Sequence, residues 1–307
     1  MKLQHILKAQ QFDLKVLDEI FENAKTMPEI CQQGGTDLLK GKIMATIFYE
    51  PSTRTRLSFE TAMIRLGGEL ISTENAREFS STAKGESLED TTRILGGYSD
   101  LIVLRHFESG AAERAAKVSP VPIINAGDGP GQHPTQALLD LYTIKNELGK
   151  IEGISIAMVG DLAYSRTVRS LSYLLAKYSG VKIYFVAPEV VKMHGDIKNH
   201  LTNNNVPFFE ETDLVKVAAE VDVIYQTRIQ KERFGENLDD FEKAKDKYII
   251  DKNILKVMKK HAIVMHPLPR VNEISVEVDE DKRAAYFRQA QNGLYIRMAL
   301  LKMILVG

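Results

Sequence analysis

At 307 residues the chain exceeds the usual reach of one hydrophobic core, so two domains of roughly 150 residues each are expected. Its hydrophobic fraction of 44% and charged fraction of 26% are ordinary, and no apolar run approaches the roughly 20 residues needed to cross a bilayer. A formal net charge of −1 argues against a broad nucleic-acid face, and the single cysteine, Cys31, excludes an intramolecular disulfide framework; with no apolar signal core in the first residues, a cytoplasmic protein is expected.

Short apolar runs alternate with helical patterns. Strands are predicted at 43–48, 70–73, 101–104 and 121–124, then at 154–159, 182–186, 222–226 and 262–265. Helical spacing fills the gaps, for example at Phe59, Ala62, Met63 and Leu66, or at Val168, Leu171, Leu174 and Leu175. The pattern predicts an α/β fold of two doubly wound domains, each a parallel sheet flanked by helices. The end of the chain, 283–306, reads as a helix interrupted near Asn292-Gly293, and the charged stretch 231–247 as a polar loop and helix.

In such folds ligands collect where strand carboxyl ends meet helix N-termini. The first of these points is the most specific: Tyr49-Glu50-Pro51-Ser52-Thr53-Arg54-Thr55-Arg56 follows the first strand and opens a helix that should stop at Gly67-Gly68. Free N–H groups, hydroxyls and a bidentate guanidinium at a helix start suit a phosphate; the plain alternative is that Ser52 merely caps the helix. Arg105 stands at the end of the third strand, either toward a ligand or at a solvated rim. The loop 127–133 is glycine-rich, which would let backbone approach a ligand, and places His133 and Gln136 on one face of the helix begun by Pro134. In the second half, Arg166 and Arg228 follow strands 154–159 and 222–226, and His266-Pro267-Leu268-Pro269-Arg270 follows the last. Two arginines on one rim suit a ligand with two carboxylates. The cluster at Gly160 lacks the spacing of a dinucleotide fingerprint.

Taken in order, Ser52-Thr53-Arg54-Thr55-Arg56, Arg105, His133-Pro134-Thr135-Gln136, Arg166, Arg228 with Gln230, and His266 to Arg270 resemble the catalytic chains of the aspartate carbamoyltransferase family over essentially the full length. The first and third motifs are shared with ornithine carbamoyltransferases. Where the ornithine enzymes carry His-Cys-Leu-Pro, this chain has Pro267, and Arg166 with Arg228 suits a dicarboxylate acceptor.

The resemblance implies a carbamoyl phosphate domain of residues 1–133 with the C-terminal helix 287–307, an aspartate domain of residues 134–286, and interdomain helices that link them. It implies Ser52, Thr53, Arg54 and Arg105 on the phosphate, Thr55, Arg105 and His133 around the carbonyl oxygen, and Gln136 on the carbamoyl amide. Arg166, Arg228 and Gln230 would hold aspartate with the Pro267-Leu268 backbone, and Glu50 would pair with Arg166 and Arg233 when the domains close. Ser80 and Lys84 would reach a neighbouring subunit's site, both onto the phosphate and Lys84 also onto aspartate, which implies a homotrimer. No metal or cofactor, nucleic acid or membrane is implied. Relatives act as free trimers, associate with dihydroorotase, or join zinc-containing regulatory chains, and the stretches 108–112 and 228–234 resemble the last group. The competing readings are a transcarbamoylase for another amine such as ornithine, and a catalytically silent scaffold.

Overall fold

The computed structural model describes residues 3–79, 85–229, 241 and 247–306. It divides into two compact units, Met1–Leu138 with Gln291–Gly307, and Leu139–Ala290. In the first, β1 (Ile43–Phe48), β2 (Glu69–Glu74), β3 (Leu101–His106) and β4 (Ile123–Asp128) form a parallel sheet in the order β2-β1-β3-β4. The helices of this part are α1 (Leu14–Lys25), α2 (Met27–Gln32), α3 (Thr53–Arg65), α4 (Ala76–Phe79), α5 (Leu88–Gly96) and α6 (Ala111–Val118). α7 (Pro134–Leu148) carries the chain into the second unit.

There, β5 (Ser155–Val159), β6 (Lys182–Val186), β7 (Phe208–Glu211), β8 (Val223–Gln226) and β9 (Ile263–Met265) form a second parallel sheet, ordered β7-β6-β5-β8-β9. α8 (Arg166–Leu175), α9 (Gly195–Asn203), α10 (Leu214–Glu220) and α11 (Lys252–Val257) accompany it, and α12 (Tyr286–Leu305) returns the chain to the first unit. No described helix is long and apolar enough to cross a membrane.

The central strands are buried almost throughout, as the continuous apolar runs require of a sheet covered on both faces. The helices bury the stripes their spacing predicts: Phe59, Ala62 and Met63 in α3, and Val168, Leu171, Leu174 and Leu175 in α8. In the second unit Ala157, Val159, Ile224 and Val264 of the sheet pack with Val217, Ile250 and Ile254.

Three elements depart from the sequence reading. β7 was not expected, because Phe208-Phe209-Glu210-Glu211 offers two apolar residues only; as an edge strand it has a single neighbour, β6. β4 runs on to Asp128, where a glycine-containing loop was expected, because the Asn125 amide donates to the Leu7 carbonyl and its Oδ1 accepts from Gly127 N. α12 is continuous through Asn292-Gly293: burial of Ile296, Leu300, Met303 and Ile304 outweighs the roughly 1 kcal/mol that an interior glycine costs a helix.

Both strand orders reverse once, between β1 and β3 in the first sheet and between β5 and β8 in the second. At a reversal the flanking connections leave in opposite directions and open a crevice outside the strand carboxyl ends. The loops that follow β1 and β3 begin at Tyr49 and Phe107, and those that follow β5 and β8 at Gly160 and Thr227.

Candidate active site

In the first unit the reversal point gathers the predicted anion ligands. Phe48 is in register with Arg105, and the Tyr49 N–H donates to the Arg105 carbonyl at 2.9 Å. Arg105 therefore emerges beside the loop that carries Glu50 to Thr55. Its guanidinium donates to the Ala126 carbonyl of β4 at 3.2 Å and lies 3.6 Å from Glu50, which fixes it across the ends of β1, β3 and β4.

Ser52 is the residue before the first turn of α3, yet its hydroxyl makes no capping bond. The simple capping role is not the one adopted, and Ser52 N instead donates to Glu74 at 3.3 Å. Thr53 and Arg54 are exposed in the first turn, whereas Thr55 is buried on the face of Phe59. Partners separate the two arginines. Arg56 lies 3.4 Å from Glu60 and 3.1 Å from Glu74, and donates to Ser72, whose hydroxyl binds Glu60 at 2.6 Å. Arg54 makes no ion pair among the described residues, and burial holds its guanidinium below the usual arginine range. A guanidinium with no ion pair among the described residues, set at a helix N-terminus, is placed to receive an anion.

The third contribution to this edge follows β4. The Asp128 carboxylate accepts from Gly110 N at 2.8 Å and from Gln132 N at 2.7 Å, and Gly129 N donates to the His106 carbonyl. At Gly129, φ is +50° and a Cβ would stand 2.2 Å from the Phe107 carbonyl oxygen. The glycine thus serves packing against the protein's own 107–109 segment, rather than the close approach of a ligand that the sequence suggested. This tied loop delivers His133, buried, to the start of α7; its carbonyl accepts from Gln136 N at 3.1 Å, so both side chains belong to one turn. His106 is a buried brace: it packs on Tyr49 and Phe107, its Nδ1 accepts from Glu108 N at 3.0 Å, and burial pushes its ring pKa down.

In the second unit, β5 and β8 end in a tight pair. Thr227 N and Oγ1 both donate to the Val159 carbonyl at 2.8 Å, and at Gly160 (φ +107°) a Cβ would lie 2.3 Å from the Thr227 carbonyl oxygen. Substitution Gly160→Ala is expected to cost about 3 kcal/mol of unfolding free energy, from a clash against backbone in a left-handed conformation; urea titration measures it. Arg166 opens α8 and Arg228 follows Thr227, both half-buried. Beyond β9 come Pro267 and Leu268, also half-buried, with Leu268 at φ +54°. That conformation costs a side-chain-bearing residue about 1 kcal/mol or more. It is held by a bond from Leu268 N to His266 Nδ1 at 2.7 Å.

Arg270, part of the last motif, faces away from ligand duty: it pairs with Asp279 and donates to the Tyr286 hydroxyl at 3.0 Å. Asp140, Tyr225, Glu273 and Gln289, which the sequence reading did not single out, form buried polar contacts behind His266. For Asp140, Tyr225 and Gln289, polar groups inside apolar helix and strand stripes were the available signal, whereas Glu273 stands in the loop after β9. Ser80, Lys84, Gln230 and Arg233 lie outside the described residues.

Residues 4–146 match the carbamoyl-P binding domain, and residues 152–304 the Asp/Orn binding domain, of the aspartate/ornithine carbamoyltransferase family. Aspartate carbamoyltransferase 2, chloroplastic, from Pisum sativum is 66% identical over 307 residues, covering 100% of this chain and 80% of the relative. The catalytic subunit of M. jannaschii aspartate transcarbamoylase superposes with a TM-score of 0.91 at 49% identity, covering 98% of each chain. The Trypanosoma cruzi aspartate transcarbamoylase in complex with N-(phosphonacetyl)-L-aspartic acid does so with a TM-score of 0.93 at 42% identity, over 99% of this chain and 96% of that one. With two sheet-edge sites in the family's order and both of its domains matched, the chain belongs to the aspartate/ornithine carbamoyltransferase family.

Proposed function

We infer that the chain transfers the carbamoyl group of carbamoyl phosphate to the α-amine of L-aspartate, releasing N-carbamoyl-L-aspartate and phosphate, a step of pyrimidine biosynthesis. The single observation that carries the donor half is Arg54, a cation with no ion pair among the described residues at the first turn of α3. The acceptor half is supported by Arg166 and Arg228 at the β5/β8 reversal, and by relatives that are named for aspartate.

The aspartate amine attacks the carbamoyl carbon. A C–N bond forms, the C–O bond to phosphate breaks, and the proton lost by the amine ends on the departing phosphate. Thr55, Arg105 and His133 face the developing oxyanion, each preorganised donor contributing about 3 kcal/mol. Ser52, Thr53, Arg54 and Arg105 take the charge of the leaving phosphate with the helix dipole, and Gln136 takes the amide. Arg166, Arg228 and Gln230 hold the acceptor with Pro267 and Leu268, so orientation does most of the work. An acceptor screen tests this reading: aspartate turning over and ornithine not is expected, and the reverse overturns it.

We further read the site as completed by Ser80 and Lys84 of a neighbouring copy in a homotrimer. Leu57, Ile64 and Ile71 are exposed along α3 and the edge strand β2, which supports burial against another chain. Mixing inactive Arg54→Ala and Lys84→Ala chains is expected to restore about one wild-type site per hybrid trimer; no recovery of turnover overturns the sharing. The reading extends to a zinc-containing regulatory chain, on the resemblance of 108–112 and 228–234. Native sizing that yields a bare trimer overturns that extension. A cytoplasmic setting rests on the lone Cys31, and fractionation decides it.

A further inference from the structure

We propose that His266 is a positioning residue for the acceptor: its ring fixes the Pro267-Leu268 main chain, and buried side chains join that loop to β8, the strand that leads to Arg228. The proposal rests on the reading of Arg228, Pro267 and Leu268 as aspartate ligands.

The ring geometry defines its proton. Nδ1 accepts from Leu268 N at 2.7 Å and so keeps its lone pair, while Nε2 lies 2.9 Å from Glu273 Oε1 and carries the proton. The other Glu273 oxygen accepts from Val271 N and Asn272 N, each at 3.1 Å. Burial pushes this carboxyl up, but the His266 and main-chain bonds outweigh it and hold Glu273 below its ordinary range. An anionic Glu273 selects the tautomer that Leu268 needs, as a carboxylate does for a histidine bound to a metal.

A second chain of bonds leaves from the main chain. His266 N donates to Gln289 Oε1 at 2.8 Å, Gln289 Nε2 donates to Asp140 Oδ1 at 2.6 Å, and the Tyr225 hydroxyl donates to Asp140 Oδ2 at 2.7 Å. Tyr225 belongs to β8, three residues before Arg228. Asp140, Tyr225 and Gln289 are at most 1% exposed. Apolar side chains of the same volume would fill this space at no polar desolvation cost. Hydrogen bonds add direction, which fixes how the loop at 267–268 and the end of β8 are oriented.

The protein shows which replacement keeps the bond. Within β4, Asn125 Oδ1 accepts from Gly127 N at 2.8 Å, the same two-residue offset that His266 Nδ1 makes to Leu268. Asparagine at 266 therefore retains the acceptor, as in an Asx turn, whereas the longer glutamine amide reaches toward the Nε2 position.

The test compares His266→Ala, His266→Asn and His266→Gln in the full chain, by aspartate KM, kcat, carbamoyl phosphate affinity and thermal unfolding. His266→Ala and His266→Gln are expected to raise the aspartate KM about tenfold or more, from a stranded Leu268 N–H, with carbamoyl phosphate affinity unchanged within about twofold. His266→Asn is expected to stay within about threefold of the parent. Asparagine no better than glutamine, or losses shared equally by both substrates, overturns the proposal. If the alanine variant does not fold, the Asn and Gln pair carries the same contrast, and Tyr225→Phe is expected to raise the aspartate KM about threefold; an unchanged KM overturns the link to β8. A parent chain that does not carbamoylate aspartate overturns the acceptor reading, and this role with it. Normal turnover without the Asn–Gln contrast overturns the positioning role alone.

Discussion

Replacing Arg54 with alanine is expected to lower kcat by about a hundredfold to a thousandfold, while the unfolding free energy moves by less than about 0.5 kcal/mol. The guanidinium has no ion pair among the described residues, so its removal strands no carboxylate and the fold loses little. The anion, by contrast, loses a charge-assisted fork at the helix N-terminus, where developing charge must be met. Arg56, two residues on, should behave oppositely. Arg56→Ala leaves Glu60 and Glu74 facing one another without a cation and costs about 1 to 3 kcal/mol of stability, discounted for their partial exposure. Steady-state kinetics beside urea unfolding separates the two. Equal losses of turnover and stability in both variants would mean that neither arginine is reserved for a ligand.

Arg228→Ala is expected to raise the aspartate KM about a hundredfold or more, since the loss of a bidentate arginine–carboxylate contact is worth roughly 3 kcal/mol. Binding of carbamoyl phosphate should be unchanged, because the residues proposed for it that the structure describes belong to the other unit. Arg228 lies immediately beyond Thr227, whose two bonds to Val159 hold the strand end independently of the guanidinium, so folding should survive. Isothermal titration with carbamoyl phosphate, followed by aspartate saturation kinetics, measures both halves. An aspartate KM within about twofold of the parent would remove Arg228 from the acceptor site.

The parallel α/β architecture was legible because period and length agree. Six-residue apolar runs such as Ile43–Phe48 cannot form a surface strand without exposing one face, and the intervening stripes fit helices. The edge strand β7 escaped because an edge needs less apolar surface, and α12 was read as broken because a local glycine penalty is visible in sequence while the packing that outweighs it is not. Of the candidate site, residue types and spacing pointed to residues 52–56, His133 with Gln136, and the two rim arginines, and the structure sets each of them at a strand's carboxyl end or a helix start.

The sequence by itself determined which segments would end at a sheet's carboxyl edge, and that two arginines stood in one phosphate-like loop. Tertiary structure decided between those arginines. Glu74 reaches Arg56 only because β2 lies parallel beside β1, and no local pattern states that pairing. It also decided what Gly129 and His266 do, since the Phe107 carbonyl and the Glu273 carboxylate come from other segments. Hydrophobic period is a local property of the chain, whereas the partner of a charge or a ring nitrogen is set by which strands become neighbours.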